Sequence, residues 1–189
     1  MMTAMMVPSV SPTIVMFSEF SQTHKSAELS AAPTWVFIAG YLAAWNLFSV
    51  AATGAQWGLI AASLLTPIME TKSAELGGAI LICSGAFQFT SLKYACLQHC
   101  RSPLAFFMAS GRPGRTGALS VGFRHGLYCV GCCWALMAVM FVGGVMNPLW
   151  LVALAVVVLI EKFAPSGRRI GQVTGALLVA AGVYMITLY

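Results

Sequence analysis

The chain has 189 residues, of which 59% are apolar and 8% are charged. Soluble domains carry about 25% charged residues, so this composition excludes an ordinary soluble globule. It also excludes a disordered chain, because disorder requires low hydrophobicity and high charge. The net charge is +5, and no basic run is dense enough to indicate a nucleic-acid partner. The remaining class is a polytopic membrane protein whose partner is the lipid bilayer.

The first apolar segment, residues 1–20, is interrupted by Pro8 and Pro12. Proline removes a backbone donor and kinks a helix, so we predict a partial or kinked N-terminal span. The segment has no basic leading region and no clear small-residue cleavage site, and it is therefore not typical of a secretory signal peptide.

Five further apolar segments are rich in Leu, Ala, Val, Gly and Met, a composition typical of helices. A helix needs roughly 20 residues to cross the core of a bilayer. None of them alternates with the period of two that marks a membrane β-barrel strand. We therefore predict an all-α, polytopic transmembrane helix bundle that forms a single domain over residues 1–189, with five firm spans. The predicted spans are 34–65, 76–92, 117–145, 148–160 and 170–189.

The basic residues predict the orientation of these spans. Loops 21–33, 93–116 and 161–169 together carry eight of the ten Lys and Arg, whereas the alternate loops carry only Lys72. The positive-inside rule places the three basic loops in the cytoplasm and the C-terminus outside. The expected location is a bacterial inner (plasma) membrane.

Five of the six cysteines fall in two short clusters, and each cluster also contains a histidine. The clustered residues are Cys96, His99 and Cys100 in the first group, and His125, Cys129, Cys132 and Cys133 in the second. At 100° per residue, the second group and Met140 occupy one helical stripe about 100° wide, and Cys96 and Cys100 share a face one turn apart. If the two helices pack together, the donors of both clusters would converge.

Thiolate, imidazole and thioether ligands suit Cu(I) or Zn(II). Structural zinc takes four Cys or His ligands, whereas Cu(I) is satisfied by two or three thiolates and can also recruit Met140. We therefore predict a soft-metal site, with Cu(I) preferred over Zn, for metal handling or delivery to a membrane-protein partner. Arg124 would balance the thiolate charge. The predicted ligands, in order of preference, are Cys96, Cys100, Cys129 and Cys132, then Cys133 and His125, and last His99.

Two other interpretations stay open. Cys129 and Cys132 have the C-x-x-C spacing of thiol–disulfide oxidoreductases, although a reactive thiolate favours an exposed position near a helix N-terminus. Free cysteine also behaves as a small buried hydrophobe, and the chain would then be a structural or assembly subunit of a membrane complex. The sequence has no nucleotide-binding loop, serine nucleophile elbow or paired catalytic carboxylates, so an enzyme is not favoured.

Isolated polar residues lie within or at the ends of the predicted spans. We expect Asn46 and Gln88 to form interhelical hydrogen bonds. Glu161 and Lys162 end the fourth span, where we expect them to pair or to reach the interface.

Two long runs carry a family resemblance, FTSLKYACLQHCRSPLAFF from Phe89 and RHGLYCVGCCWALMAVMFVGGVMN from Arg124. With MMVPSVSP from Met5 and EKFAPSGRR from Glu161, they resemble the bacterial membrane family called domain of unknown function 2182. Its members are described as predicted metal-binding integral membrane proteins, and the matching positions include all seven Cys and His residues named above. The family that this chain resembles has longer members, which carry an extra hydrophobic helix before the MMxPS motif, whereas this chain begins almost at the motif. The resemblance therefore implies a shortened copy or a misassigned start codon.

Overall fold

The computed structural model describes residues 2–23, 34–63, 73–101, 114–144 and 147–188. Within these ranges every regular element is a helix, which confirms the all-α prediction. In chain order the helices are α1 (Met2–Thr23), α2 (Thr34–Ala61), α3 (Ala74–Phe87), α4 (Ser91–Arg101), α5 (Gly114–Ala138), α6 (Met140–Gly143), α7 (Pro148–Phe163) and α8 (Gly167–Leu188). The predicted positions Lys72 and Tyr189 lie outside the described residues.

Three helical stretches in the described ranges are long and apolar enough to cross a membrane. They are α2, the stretch Arg115–Gly143 that contains α5 and α6, and α8, and they match the first, third and fifth predicted spans. Helices α3 and α4 pass the same test only together, with a bend of 64° between them. The prediction of five firm spans is therefore wrong, because this part of the chain offers three spans, or four if the bent pair is one broken span.

Two predicted spans are not among the three candidates because their helices are short. Helix α3 has 14 residues and α7 has 16. At 1.5 Å per residue these helices are about 21 and 24 Å long, against a hydrocarbon core of about 30 Å. The bend between α3 and α4 is built around Thr90, whose hydroxyl donates to the Phe87 carbonyl at 2.7 Å and accepts from the Lys93 N–H at 3.4 Å. Thr90 thus ends one helix and caps the next.

Helix α1 continues through both of its prolines and is not one of the candidate spans. Pro12 has no N–H to bond the Pro8 carbonyl one turn earlier. The Ser11 hydroxyl donates to that carbonyl at 2.8 Å instead. Met6 and Phe17 of this helix are buried, and Phe17 stacks on Phe37 of α2 with the ring centroids 4.9 Å apart.

The chain forms two compact units, residues 1–50 with 96–131, and residues 51–95 with 132–189. In the first unit α2 packs closely on α5. Gly122 faces the backbone of Phe37, and a Cβ atom at Gly126 would lie 2.7 Å from the Ala44 Cβ. Small residues let helices approach closely, so these glycines fix which side of α5 meets α2.

In the second unit α3 packs on α8 in the same manner. A Cβ atom at Gly85 would lie 2.7 Å from the Gly175 carbonyl oxygen. The Ser84 hydroxyl also donates to the Ala135 carbonyl at 2.9 Å. The second unit therefore includes the end of α5 together with α3 and α8.

Candidate metal centre

The face of α5 that carries the predicted ligands is buried. His125, Cys129, Cys132 and Cys133 are each at most 5% exposed, and Met140 is fully buried. Counted from His125, the three cysteines lie four, seven and eight positions further along the helix, the spacing of one inward-facing helical stripe. Arg124, the predicted charge-balancing neighbour, lies on the exposed side of the same helix.

Tyr41 of α2 connects this buried face to α1. Its hydroxyl lies 3.4 Å from the Cys129 Sγ atom and donates to the Met6 carbonyl oxygen at 3.4 Å. Its ring and the ring of Phe37 each lie 6.1 Å from the His125 imidazole, centroid to centroid. Cys129 therefore lies in a buried layer of the first unit to which α1, α2 and α5 all contribute.

The first cysteine cluster meets α5 on a different side. A Cβ atom at Gly131 would lie 2.9 Å from the Cys96 Sγ atom, so the glycine leaves room for this thiol. One turn further along α4, the His99 imidazole stacks on Tyr128 with centroids 4.6 Å apart and an interplanar angle of 16°. Cys96 contacts Gly131, and His99, which is later on α4, contacts Tyr128, which is earlier on α5. The two helices therefore run antiparallel.

Accessibility varies within the α4 cluster. His99 is exposed and Cys96 is half-buried, whereas Cys100 is 3% exposed. Cys96 and Cys100 are four residues apart and share a face of α4. This cluster therefore offers two neighbouring sulfurs, with an exposed imidazole beside them.

The predicted ligands lie on two sides of α5. Gly131 marks the side that meets Cys96, and Cys129 marks the side that meets Tyr41. The two residues are two positions apart on the helix and so point about 160° apart. Cys132 points about 60° away from Cys129, in a direction between that of Cys129 and that of Gly131.

Across the described ranges, no three His, Cys, Asp or Glu side chains are grouped to hold a metal ion. The full ligand set therefore stays a prediction.

A buried ion pair in the second unit was not predicted. Lys93 Nζ lies 2.6 Å from Glu161 Oε2, and the two side chains are 1% and 4% exposed. Lys93 was expected at the start of the basic loop 93–116, and this boundary is wrong because Lys93 lies within α4. Glu161 pairs with Lys93 and does not reach the interface, and Lys162 is buried as well.

Three polar side chains meet beside Gly171 of α8. A Cβ atom at this glycine would lie 3.4 Å from Lys93 Nζ, 3.5 Å from Glu161 Oε1 and 3.8 Å from Gln88 Oε1. Gln88 is 1% exposed. Neither its two amide atoms nor Glu161 Oε1 has a hydrogen-bond partner among the residues described. The interhelical hydrogen bond predicted for Gln88 is therefore not formed within that part of the chain, and Asn46 is exposed.

Comparison with known proteins identifies the family. The model of the PpoB2 family, described as a copper chaperone, matches residues 1–185. No curated protein and no solved structure matches the sequence. The copper-related name of the family agrees with the predicted handling of a soft metal. Because the match covers nearly the whole sequence, the chain belongs to the PpoB2 copper chaperone family.

Proposed function

We propose that the protein is a membrane copper chaperone that binds Cu(I) through sulfur ligands inside its helical bundle and passes it to a partner protein. Family membership supports the copper, and the long apolar helices support membrane residence. The observation that carries the proposal is the buried layer where the Cys129 thiol meets Tyr41 beside His125. A thiol and an imidazole on one buried face are soft donors that suit this ion.

The number of nearby donors favours Cu(I) over zinc. Structural zinc takes four Cys or His ligands, and no three of the described His, Cys, Asp or Glu side chains form such a group. Cys129 and His125, one helical turn apart, can supply two soft donors, and Met6 is a buried thioether on a neighbouring helix. A two- or three-coordinate soft ion therefore fits this layer better than a four-coordinate one.

Tyr41 gives the layer a means of accommodating the charge of a metal-bound thiolate. The phenol has one proton, and while it bonds the Met6 carbonyl the Cys129 thiol is the donor to the phenol oxygen. If Cu(I) bound Cys129, the thiol proton would be released to solvent and the thiolate sulfur would become an acceptor. The phenol proton could then turn from the Met6 carbonyl to the thiolate. This hydrogen bond stabilises the charged sulfur in a buried setting.

The remaining predicted ligands provide further sulfur and imidazole donors on the same two helices. Cys96, Cys100 and His99 lie on α4, and Cys132 and Cys133 lie on α5. We retain Cys96, Cys100, Cys129 and Cys132 as the preferred ligands. The partner would be a protein that accepts reduced copper.

We further propose that the protein resides in the inner membrane with its basic loops in the cytoplasm, an orientation that requires the bent pair α3 and α4, and also α7, to cross the membrane in addition to the three candidate spans. The Arg168 guanidinium lies 4.8 Å from the centre of the Tyr94 ring, so the basic segments after α7 and within α4 adjoin each other in the second unit. Lys93 and Lys162 are buried, so the orientation depends on the other six basic residues of the three predicted segments. These residues are Lys25, Arg101, Arg112, Arg115, Arg168 and Arg169, of which Arg101, Arg115, Arg168 and Arg169 lie in the first or last turn of a helix.

Metal analysis of purified protein tests the copper proposal. The protein is reduced in detergent, incubated with Cu(I) or with Zn(II), desalted and analysed for bound metal. We expect retained copper in the wild type and its loss in a variant in which all four preferred cysteines are changed to serine. The control is Cys83→Ser, because Cys83 is an exposed thiol on α3, and this variant should retain copper. A wild-type protein that retains no copper would contradict the proposal.

The structure does not favour thiol–disulfide exchange by Cys129 and Cys132. Both are at most 5% exposed, and exchange requires a partner thiolate to reach the sulfur. Alkylation tests the alternative, because an exchange enzyme would carry a disulfide that follows the supply of quinone. A copper site would instead show thiols that are protected by the metal.

A further inference from the structure

We infer that the two cysteine clusters form two separate Cu(I) sites, one on α4 and one on α5, and not one joint centre. The inference rests on the proposed copper function and specifies how many ions the chain holds and where. The α4 site consists of Cys96 and Cys100. The α5 site consists of Cys129 and His125, the two donors beside Tyr41, whereas Cys132, one of the preferred ligands of the sequence-based prediction, points about 60° away from Cys129.

The separation follows from the contacts that each sulfur makes. Cys96 Sγ lies against Gly131, whereas Cys129 Sγ lies 3.4 Å from the Tyr41 hydroxyl. These contacts point about 160° apart around α5, whose Cα atoms lie on a cylinder of radius about 2.3 Å. With a metal–sulfur bond of about 2.3 Å, two sulfurs on one ion lie within about 4.6 Å of each other. The backbone of α5 stands between the two sulfurs, so they do not share one ion.

Each cluster holds enough donors for its own ion. Residues four apart on a helix have Cβ atoms about 5–6 Å apart, a spacing from which two thiolates can bind one Cu(I). Cys96 and Cys100 have this spacing on α4, and His125 and Cys129 have it on α5. The absence of a group of three His, Cys, Asp or Glu side chains across the described ranges agrees with two sites of two donors each.

The two sites differ in access. Cys96 is half-buried beside the exposed His99, whereas His125 and Cys129 are both 1% exposed. A partner protein or a chelator reaches the α4 site more readily. The α4 site therefore exchanges copper with partners faster than the α5 site does.

Copper stoichiometry and removal kinetics test this inference on the full chain. Wild-type protein should hold two Cu(I), and Cys96→Ser/Cys100→Ser and Cys129→Ser/His125→Gln should each hold one. X-ray absorption should report two sulfur ligands in the second variant and one sulfur with one imidazole nitrogen in the first. A soluble Cu(I) chelator should remove the copper of the α4 site faster. Gel filtration and the melting temperature identify any variant that has not folded.

The outcomes separate the inference from the proposed function. If either double variant loses all its copper while remaining folded, the clusters form one joint centre and the inference is wrong, although the copper function stands. A wild-type ratio of one copper per chain would also overturn it. Wild-type protein without any copper would overturn the proposed function itself.

A different observation carries a second inference, which does not depend on copper. We propose that the space beside Gly171 holds one bound water molecule. The ammonium of Lys93 and the carboxylate of Glu161 balance each other's charge, so a neutral ligand is favoured. Lys93 Nζ, Glu161 Oε1 and Gln88 Oε1 all lie within 3.4 to 3.8 Å of the position that a Cβ atom at Gly171 would take, so one small molecule that bonds all three would lie beside this glycine. A water molecule has the two donors and two acceptors that such a group needs.

The substitution Gly171→Ala tests for this water by whether it raises or lowers the melting temperature. An added methyl group would make only ordinary contacts there, and alanine favours a helix over glycine. If nothing is displaced, the melting temperature should therefore rise. We expect it to fall, because the methyl group displaces the water and leaves Glu161 Oε1 and the Gln88 amide without a partner. The control is Gly54→Ala on α2, where a Cβ atom would meet nothing within 4 Å.

A second variant separates loss of water from steric strain. In Gly171→Ala/Gln88→Leu the stranded amide is replaced by an apolar side chain, so part of the lost melting temperature should return. A rise for Gly171→Ala that equals the rise for the control would contradict the proposal. A double variant that is less stable than Gly171→Ala alone would also contradict it.

Discussion

The Tyr41 hydroxyl lies 3.4 Å from the sulfur of Cys129, although the two residues are 88 positions apart in the chain. Cys129 is 1% exposed, so this contact lies in the protein interior. The same hydroxyl bonds the Met6 carbonyl. Tyr41 thus joins a predicted copper ligand to the N-terminal helix.

Removal of this hydroxyl should weaken copper binding at the α5 site. A hydrogen bond to a charged group contributes about 1.5–3 kcal/mol, so Tyr41→Phe should lower the Cu(I) affinity of that site by roughly 10- to 100-fold. Competition with a chelator of known affinity measures the change, in a protein that also carries Cys96→Ser/Cys100→Ser. Tyr184→Phe is the matched control because Tyr184 is exposed on α8. Equal affinities for the two tyrosine variants would show that the contact does not stabilise the metal-bound thiolate.

The buried pair of Lys93 and Glu161 should be sensitive to the loss of either partner. Breaking a buried ion pair leaves one uncompensated charge and costs about 3–5 kcal/mol. Lys93→Met and Glu161→Gln should therefore each lower the melting temperature in detergent, and Lys93→Met/Glu161→Leu should recover most of the loss. Arg168→Gln removes an exposed cation nearby and should have little effect. Single variants as stable as the wild type would contradict the burial of this pair.

Close packing of α2 on α5 should be required for the buried layer around Cys129. A side chain at Gly126 would meet the Ala44 Cβ at 2.7 Å and the Tyr41 carbonyl oxygen at 3.0 Å. Gly126→Val should therefore push the helices apart, lower the melting temperature and release copper from the α5 site. The control is Gly58→Val, because a Cβ atom at Gly58 meets nothing within 4 Å. If both valine variants retain copper equally, this packing does not position the ligands.

Thiol reactivity should follow burial. In proteins that retain one clustered cysteine each, a membrane-permeant maleimide should modify Cys96 faster than Cys100 or Cys129, because Cys96 is half-buried and the others are buried. Mass spectrometry over a time course gives the rates, and Cu(I) should slow them wherever the remaining donors still bind it. A Cys129 that reacts as fast as Cys96 would show that the buried layer is open.

The orientation of the loops is measurable with single cysteines in a cysteine-free chain. Ser110→Cys and Ser166→Cys lie in two of the basic loops, and Thr71→Cys lies beside Lys72. In intact spheroplasts an impermeant maleimide should label Thr71→Cys and leave the other two unlabelled until the membrane is permeabilised. The opposite pattern would reverse the proposed orientation, and labelling of only one basic loop would show that α7 does not cross the membrane.

The sequence alone determined the helical class, three of the spans and the buried stripe on α5, because these depend on local composition and on the fixed pitch of a helix. It failed for α3 and α7, where apolar composition continues to the helix ends but the helices stop short of a bilayer thickness. Thr90 contributes to one of these stops through two side-chain hydrogen bonds.

Only the tertiary structure decided which side of α5 each ligand group occupies and which charges are paired. Cys96 faces Gly131, Cys129 faces Tyr41, and Lys93 pairs with a carboxylate 68 positions away. Periodicity places residues on faces of one helix, but the choice of which faces meet depends on close approach between helices. That approach occurs where small residues such as Gly126 allow it, and the outcome depends on the packing of the whole bundle.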